Sequence, residues 1–249
     1  MSDIQNIAAY RFVRITDVDA VAERIKALCQ AQNLLGTVLV SPEGINLFLA
    51  GTDAGIAAFL AELQADPRFA GLEVKVSRSA FVPFGRLRVK RKPEIITYRD
   101  PSLRPDAGRA PSVAPETLAR WLAQGHDDDG REVVMLDTRN AEEVDYGSFR
   151  GALRFGITRF TDLPQAIAER RDELAGKTVV SFCTGGIRCE KSVLRMQAEG
   201  YAHCYQLEGG ILGYFEKVGG EHFEGRCFVF DDRIALDPQL RPLVADPGF

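Results

Sequence analysis

The chain has 249 residues, 45% of them hydrophobic and 27% charged, with a formal net charge of −4. That length suits one large domain or two of ordinary size, and the composition is that of a soluble globular protein with a substantial core. It excludes an overall electrostatic preference for nucleic acid, so any attraction to a polyanion must come from a local patch. The five cysteines, Cys29, Cys183, Cys189, Cys204 and Cys227, are odd in number and mostly far apart. A chain this long needs no disulfide staples, and a reduced, cytoplasmic setting is expected. "MSDIQNIAAYRFVRI" has no cationic start followed by an apolar core, and no uncharged apolar run approaches about 18 residues, so neither secretion nor membrane spanning is expected.

From residue 7 to about 98 the pattern reads strand, helix, strand, strand, helix, strand. "IAAYRFVRI" is strand-like, and "DVDAVAERIKALCQAQN" has helical spacing through Val18, Val21, Ile25 and Leu28, with Asp17 or Asp19 placed to cap it. Cys29 falls on the apolar side of that helix and is expected in the core. "GTVLV" and "GINLFLAG" flank the turn signal "SPEG"; "TDAGIAAFLAELQADPRF" predicts a second helix and "LEVKVS" a further strand. This order predicts a ferredoxin-like α+β sandwich over residues 1–98. The proline-rich stretch 99–115 reads as a linker, with Pro115 opening a helix at its first turn. From 116 to 222 short apolar strands alternate with amphipathic helices, which predicts a parallel-sheet α/β domain covered on both faces. Residues 223–249 read as a C-terminal extension.

Two segments carry chemistry. "VVSFCTGGIRCEKS", residues 179–192, is a buried-looking strand that breaks at Cys183 into a double glycine and resumes as a helix. Thr184, Gly185, Gly186 and Ile187 form a short loop whose glycines let it turn its amides toward one centre. Arg188 adds a fixed cationic fork, and the helix N-terminus favours thiolate over thiol. Cys183 is therefore expected to be a nucleophile. Cys189, on the first turn of the next helix, either resolves a persulfide or disulfide on Cys183 or packs as a small side chain. Asp137 and Arg139, at the end of an earlier strand, are expected to support the site structurally. His203, Cys204, His222 and Cys227 match no familiar zinc spacing, and no metal site is expected.

The second segment is "KVSRSAFVPFGRLRVKRK", residues 75–92, which holds seven Lys or Arg and no acid. In "RLRVK" the alternation places Arg86, Arg88 and Lys90 on one face and Leu87 and Val89 on the other, with Arg91 and Lys92 following. The absence of acids predicts attraction to RNA phosphates, and Phe81 and Phe84 either stack on bases or pack in the core.

"LDTRNAEEVDYGSFRGA" and "SFCTGGIRCEKS" resemble the opening signature and active-site loop of the rhodanese domain. Four residues separate Cys183 from Arg188, one fewer than in the related phosphatase loop, a ring size that suits sulfur better than a phosphoryl group. With "SPEGIN", "PFGRLRVKRKPEI" and "GRCFVFDDR", the whole chain resembles the rhodanese-domain tRNA uridine hydroxylases. That resemblance implies oxygen-dependent formation of 5-hydroxyuridine at the tRNA wobble position, with Cys183 essential and molecular oxygen as co-substrate. Many members continue into a cysteine-rich tail beyond "CFVFD", so no role of that tail carries over to this sequence. No flavin fingerprint and no triad of two histidines and a carboxylate is present, so no cofactor is expected, nor a protein partner. The alternative is a rhodanese-type sulfurtransferase that carries a persulfide, for a small acceptor or for tRNA thiolation. A non-catalytic RNA-binding module is disfavoured by the intact loop.

Overall fold

In the first strand, β1 (Ile4–Phe12), Ile7 and Ala9 are buried while Ala8 and Tyr10 are partly exposed, the period-two pattern of a sheet with one face on a core. The computed structural model describes residues 4–244, and the chain divides into two units.

The first unit continues with α1 (Val18–Ala31), β2 (Leu35–Ser41), β3 (Gly44–Gly51), α2 (Asp53–Gln64), β4 (Lys75–Ser79) and β5 (Leu87–Arg91). The sheet order is β4-β1-β3-β2-β5; β1, β2, β3 and β4 pair antiparallel, and β5 joins β2 in parallel at the edge. The first four strands and two helices make the expected sandwich, and β5 extends it. Val21, Ile25 and Cys29 of α1 pack with Phe59 and Leu63 of α2 against Ile7, Val38, Leu47 and Leu49. Burial pushes the Cys29 thiol up to about 12. Asp17 takes the N-cap position of α1 without a side-chain cap bond, because its carboxylate pairs with Arg68. Thr52 caps α2 by accepting the Gly55 N–H at 3.1 Å. Residues 230–234 also belong to this unit, where Arg233 donates to Ser77 Oγ at 2.6 Å.

The second unit opens with β6 (Ser112–Val113), α3 (Pro115–Gln124), β7 (Val133–Asp137), α4 (Ala141–Val144), β8 (Gly147–Phe149) and β9 (Leu153–Arg154). It continues through α5 (Leu163–Glu169), α6 (Arg171–Leu174), β10 (Thr178–Phe182), α7 (Ile187–Ala198), β11 (Cys204–Leu207) and α8 (Gly210–Val218). Three short strands follow, β12 (Phe223–Gly225), β13 (Cys227–Phe228) and β14 (Ala235–Leu236). Five strands form a wholly parallel sheet in the order β6-β11-β10-β7-β9. All five residues of β10 are buried, as a central parallel strand requires. Val180 and Phe182 pack with Leu118 and Trp121 of α3 and Ile211 and Tyr214 of α8. Residues 99–115, read as a linker, are built into this unit. Pro111 and Pro115 favour extended backbone at the residues before them, β6 pairs with β11, and the Glu190 carboxylate accepts the Ala110 N–H. Among the described residues no helix is long and apolar enough to cross a membrane.

Candidate active site

The end of β10 delivers Cys183 to the carboxyl edge of the parallel sheet, where open α/β folds place their ligands. The chain then turns through Gly186, at φ 98°, which is the N-cap of α7 and occupies a left-handed conformation suited to glycine. Two loop carbonyls are tied outward by the first amides of α8: Ile211 N–H donates to Cys183 O at 3.0 Å and Leu212 N–H to Thr184 O at 3.1 Å. With those oxygens held away, N–H groups face the sulfur. The Gly186 amide donates to Cys183 Sγ at 3.1 Å, and the Arg188 amide also donates to it.

Cys183 is only 2% exposed, so burial by itself disfavours its thiolate. The balance goes the other way. A hydrogen bond donated by the Cys189 thiol, the Arg188 charge and the two loop amides lower the Cys183 pKa to about 6. Cys189 shifts in the opposite direction, well above the ordinary thiol range, through its burial and the adjoining Cys183 sulfur. One member of the pair is thus poised as thiolate and the other as its thiol donor. Thr138 Oγ1, which donates to Phe182 O at 2.9 Å, lies 3.7 Å from Cys189 Sγ. The Cys189→Ala variant is expected to lose this donor, moving the Cys183 alkylation midpoint upward by about one to two pH units, since a hydrogen bond to a charged group contributes roughly 1.5–3 kcal/mol and one pKa unit is about 1.4 kcal/mol. Cys189→Ser is expected to restore much of it. An unchanged midpoint in the alanine variant would remove Cys189 from the activation of Cys183.

Arg188 is held by Glu143, whose carboxylate oxygens lie 2.8 and 3.0 Å from Nη2. Glu143 is itself fixed by a capping box with Asn140 at the start of α4. The Arg188 charge is therefore positioned by two elements as well as by the loop. Asp137 and Arg139 form a separate brace. Their side chains have 0% exposure and meet at 2.6 Å, Arg139 also donates to Gly147 O at 2.7 Å, and Ser148 Oγ donates to Asp137 at 2.7 Å. The Arg139 guanidinium lies 5.8 Å over the Phe182 ring, so the brace supports the strand that carries Cys183.

The loop ring did not disclose its outer supports in sequence. Gly210, at φ 64°, lies so close that a Cβ there would come within 2.5 Å of Cys183 O, which explains the second double glycine, Gly209 and Gly210. The Asn140 to Glu143 spacing was a readable capping signal, but its link to Arg188 spans 45 residues. Cys227 lies beside Thr184, and burial pushes its thiol up to about 12. Cys204 donates to Tyr201 O at 3.2 Å, a structural role. Among the described residues no group of three or more His, Cys, Asp or Glu side chains is arranged to hold a metal ion.

The basic strip lies in the first unit. Arg86, Arg88, Lys90 and Lys92 are exposed. Arg91, although exposed too, is engaged by Asp19 and by Glu23, the latter at 2.6 Å. Leu87 and Val89 pack on the core as the alternation required.

Comparison with known proteins matches both halves. Residues 4–95 fit the UPF0176 acylphosphatase-like domain and residues 118–217 the rhodanese-like domain. The tRNA uridine(34) hydroxylase of Bordetella avium is 62% identical over 240 residues, covering 96% of this chain and 99% of that one. The namesakes from Xanthomonas euvesicatoria and Ralstonia nicotianae are 60% and 59% identical, covering 97% and 96% of this chain and 97% and 85% of their own. With identity at this level over nearly its whole length, the chain belongs to the tRNA uridine(34) hydroxylase family.

Proposed function

We propose that this protein hydroxylates the wobble uridine of tRNA at C5 with molecular oxygen, using Cys183 as its nucleophile. The observation that carries the reading is an activated sulfur, ringed by amides and Arg188, in a chain that matches named uridine hydroxylases from end to end. Uracil is an electrophile at C6. Addition of the Cys183 thiolate there breaks the C5–C6 π bond and sends the electron pair toward C5 and the O4 enolate. The loop amides and Arg188 stabilise that negative charge. The electron-rich C5 then takes one atom of dioxygen. The other leaves as water, with two electrons and two protons drawn from an external reductant, and loss of the C5 proton expels the Cys183 thiolate to restore the ring.

Arg86, Arg88, Lys90 and Lys92 serve in this reading as contacts to tRNA phosphates. Replacing Arg86, Arg88 and Lys90 together by Ser is expected to reduce the slope of log affinity against log salt by roughly one per lost contact. An unchanged slope would return the strip to an ordinary solvated surface. A second reading, persulfide transfer, is favoured by the four-residue span from Cys183 to Arg188. Complementation of a deletion strain separates the two. Wild type is expected to restore 5-hydroxyuridine and Cys183→Ser is not, whereas restoration of a thiolated uridine alone would favour the transferase.

A further inference from the structure

Apart from the cysteine loop, the first unit carries a cleft of about 790 Å³ between α1 and the edge strand β5. Leu87 and Val89 turn toward α1 and form its aliphatic wall. Arg86, Arg88 and Lys90 border it along the rim of β5, and Lys26, Gln30 and Asn33 border it from α1 and the turn after it. Glu23 is the one acid in the lining, and Arg91 already bonds it, together with Asp19, at one end. Among the described residues no ion pair at hydrogen-bonding distance engages Arg86, Arg88 or Lys90. Lys26 therefore gives the cleft a cation beside an apolar wall and two carboxamides, with the cations of β5 on the other face of the strand at its rim.

The backbone adds a further feature. Arg86 O and Lys92 N–H bond to β2, so the peptide groups that alternate with them along this edge strand are left on its outer side. The combination fits one kind of ligand. Cations take a phosphate, aliphatic walls and guanidinium planes take a base face, and carboxamides with edge peptide groups take a base edge or a 2′-hydroxyl. A paired nucleotide hides its base inside the stack, and a duplex backbone needs no concavity. The volume lies within the roughly 300–1,000 Å³ of small-ligand clefts, enough for a single splayed nucleotide.

We infer that the α1–β5 cleft holds an unpaired nucleotide of the tRNA substrate, with Lys26, Gln30 and Asn33 contacting it from the helix side. The inference rests on the reading that the substrate is tRNA, and it adds residues outside the basic strip. The test uses the full-length protein and two RNAs of equal length, an anticodon stem-loop and a blunt duplex. Lys26→Ala, Gln30→Ala and Asn33→Gly are combined, with glycine at 33 because the backbone there has φ 53°. All three side chains are exposed, and circular dichroism checks that the fold is kept. Stem-loop affinity is expected to fall by about tenfold or more, from the loss of several hydrogen bonds, while duplex affinity falls only a few-fold through the single charge removed. Equal losses for both RNAs, or no loss for either, would overturn the cleft assignment while leaving the tRNA reading intact. A wild-type protein that binds neither RNA would instead overturn the tRNA reading.

Discussion

Cys183→Ser is expected to lower the rate of 5-hydroxyuridine formation by more than about a thousandfold, which at roughly 1.4 kcal/mol per decade is over about 4 kcal/mol of barrier. Serine nearly matches the thiol in size, so the buried loop retains its shape, but its hydroxyl does not ionise near neutral pH. The donors that lower Cys183 to about 6 have no anion to stabilise in the variant. The wild-type pH profile carries the same information. The thiolate fraction, and with it the alkylation rate, rises through pH 6 and levels off above it, in contrast to a free thiol near 8.5. For stability the sign is that of a depressed acid: ionised Cys183 stabilises the fold above about 8.5, and that contribution is lost as pH falls through about 6. Stopped-flow alkylation of wild type and single-turnover assays of the Ser variant check both halves. A variant retaining a tenth of the activity would mean that the sulfur is not the nucleophile.

The second large effect is on stability. Asp137→Ala is expected to destabilise the second unit by about 3–5 kcal/mol, because it leaves the Arg139 guanidinium buried without its counter-charge. The aspartate also accepts the Arg139 amide at 3.1 Å and Ser148 Oγ at 2.7 Å, so with Arg139 Nε and Nη2 four donors lose this partner together. Against a typical stability of 5–15 kcal/mol this is a large share. At roughly 2–4 °C per kcal/mol for a domain of 150–250 residues, and somewhat more for a smaller one, the melting temperature should fall by about 6–20 °C. Asp137→Asn keeps the shape and one acceptor oxygen but loses the charge and turns an NH2 donor toward the others, and should fall between. A loss below about 1 kcal/mol for the alanine variant would show that the pair is not a structural brace.

Much of this architecture was legible because its signals are local. The apolar run TVVSF, the break at Cys183 and the glycines after it specify strand, turn and helix within a dozen residues, and β10, the loop and α7 follow that pattern. Leu87 and Val89 revealed their inward face by simple alternation. What escaped is long-range pairing, which no periodicity encodes. β5 could be read as a strand, but its parallel place beside β2 depends on partners some fifty residues earlier in the chain. Arg91 reads as one more cation of the strip until α1 brings Asp19 and Glu23 to it. Nothing local in the sequence separates Glu143 from its neighbour Glu142, yet its carboxylate is fully buried on Arg188. Gly210 shows why such contacts matter: a glycine 27 positions after Cys183 lets α8 approach and orient the cysteine loop.

The central claim is that this chain places an oxygen atom from dioxygen on a tRNA uridine through Cys183. Oxygen addition and sulfur-for-oxygen exchange raise the nucleoside's nominal mass equally, so the decisive measurement is isotopic. Purified protein, unmodified tRNA and a thiol reductant are incubated under oxygen-18 gas, and the digested nucleosides are resolved by high-resolution mass spectrometry. The account predicts 5-hydroxyuridine carrying one heavy oxygen with wild type, and none with Cys183→Ser. An unlabelled hydroxyl, a thiolated uridine, or equal labelling in the Ser variant would contradict it.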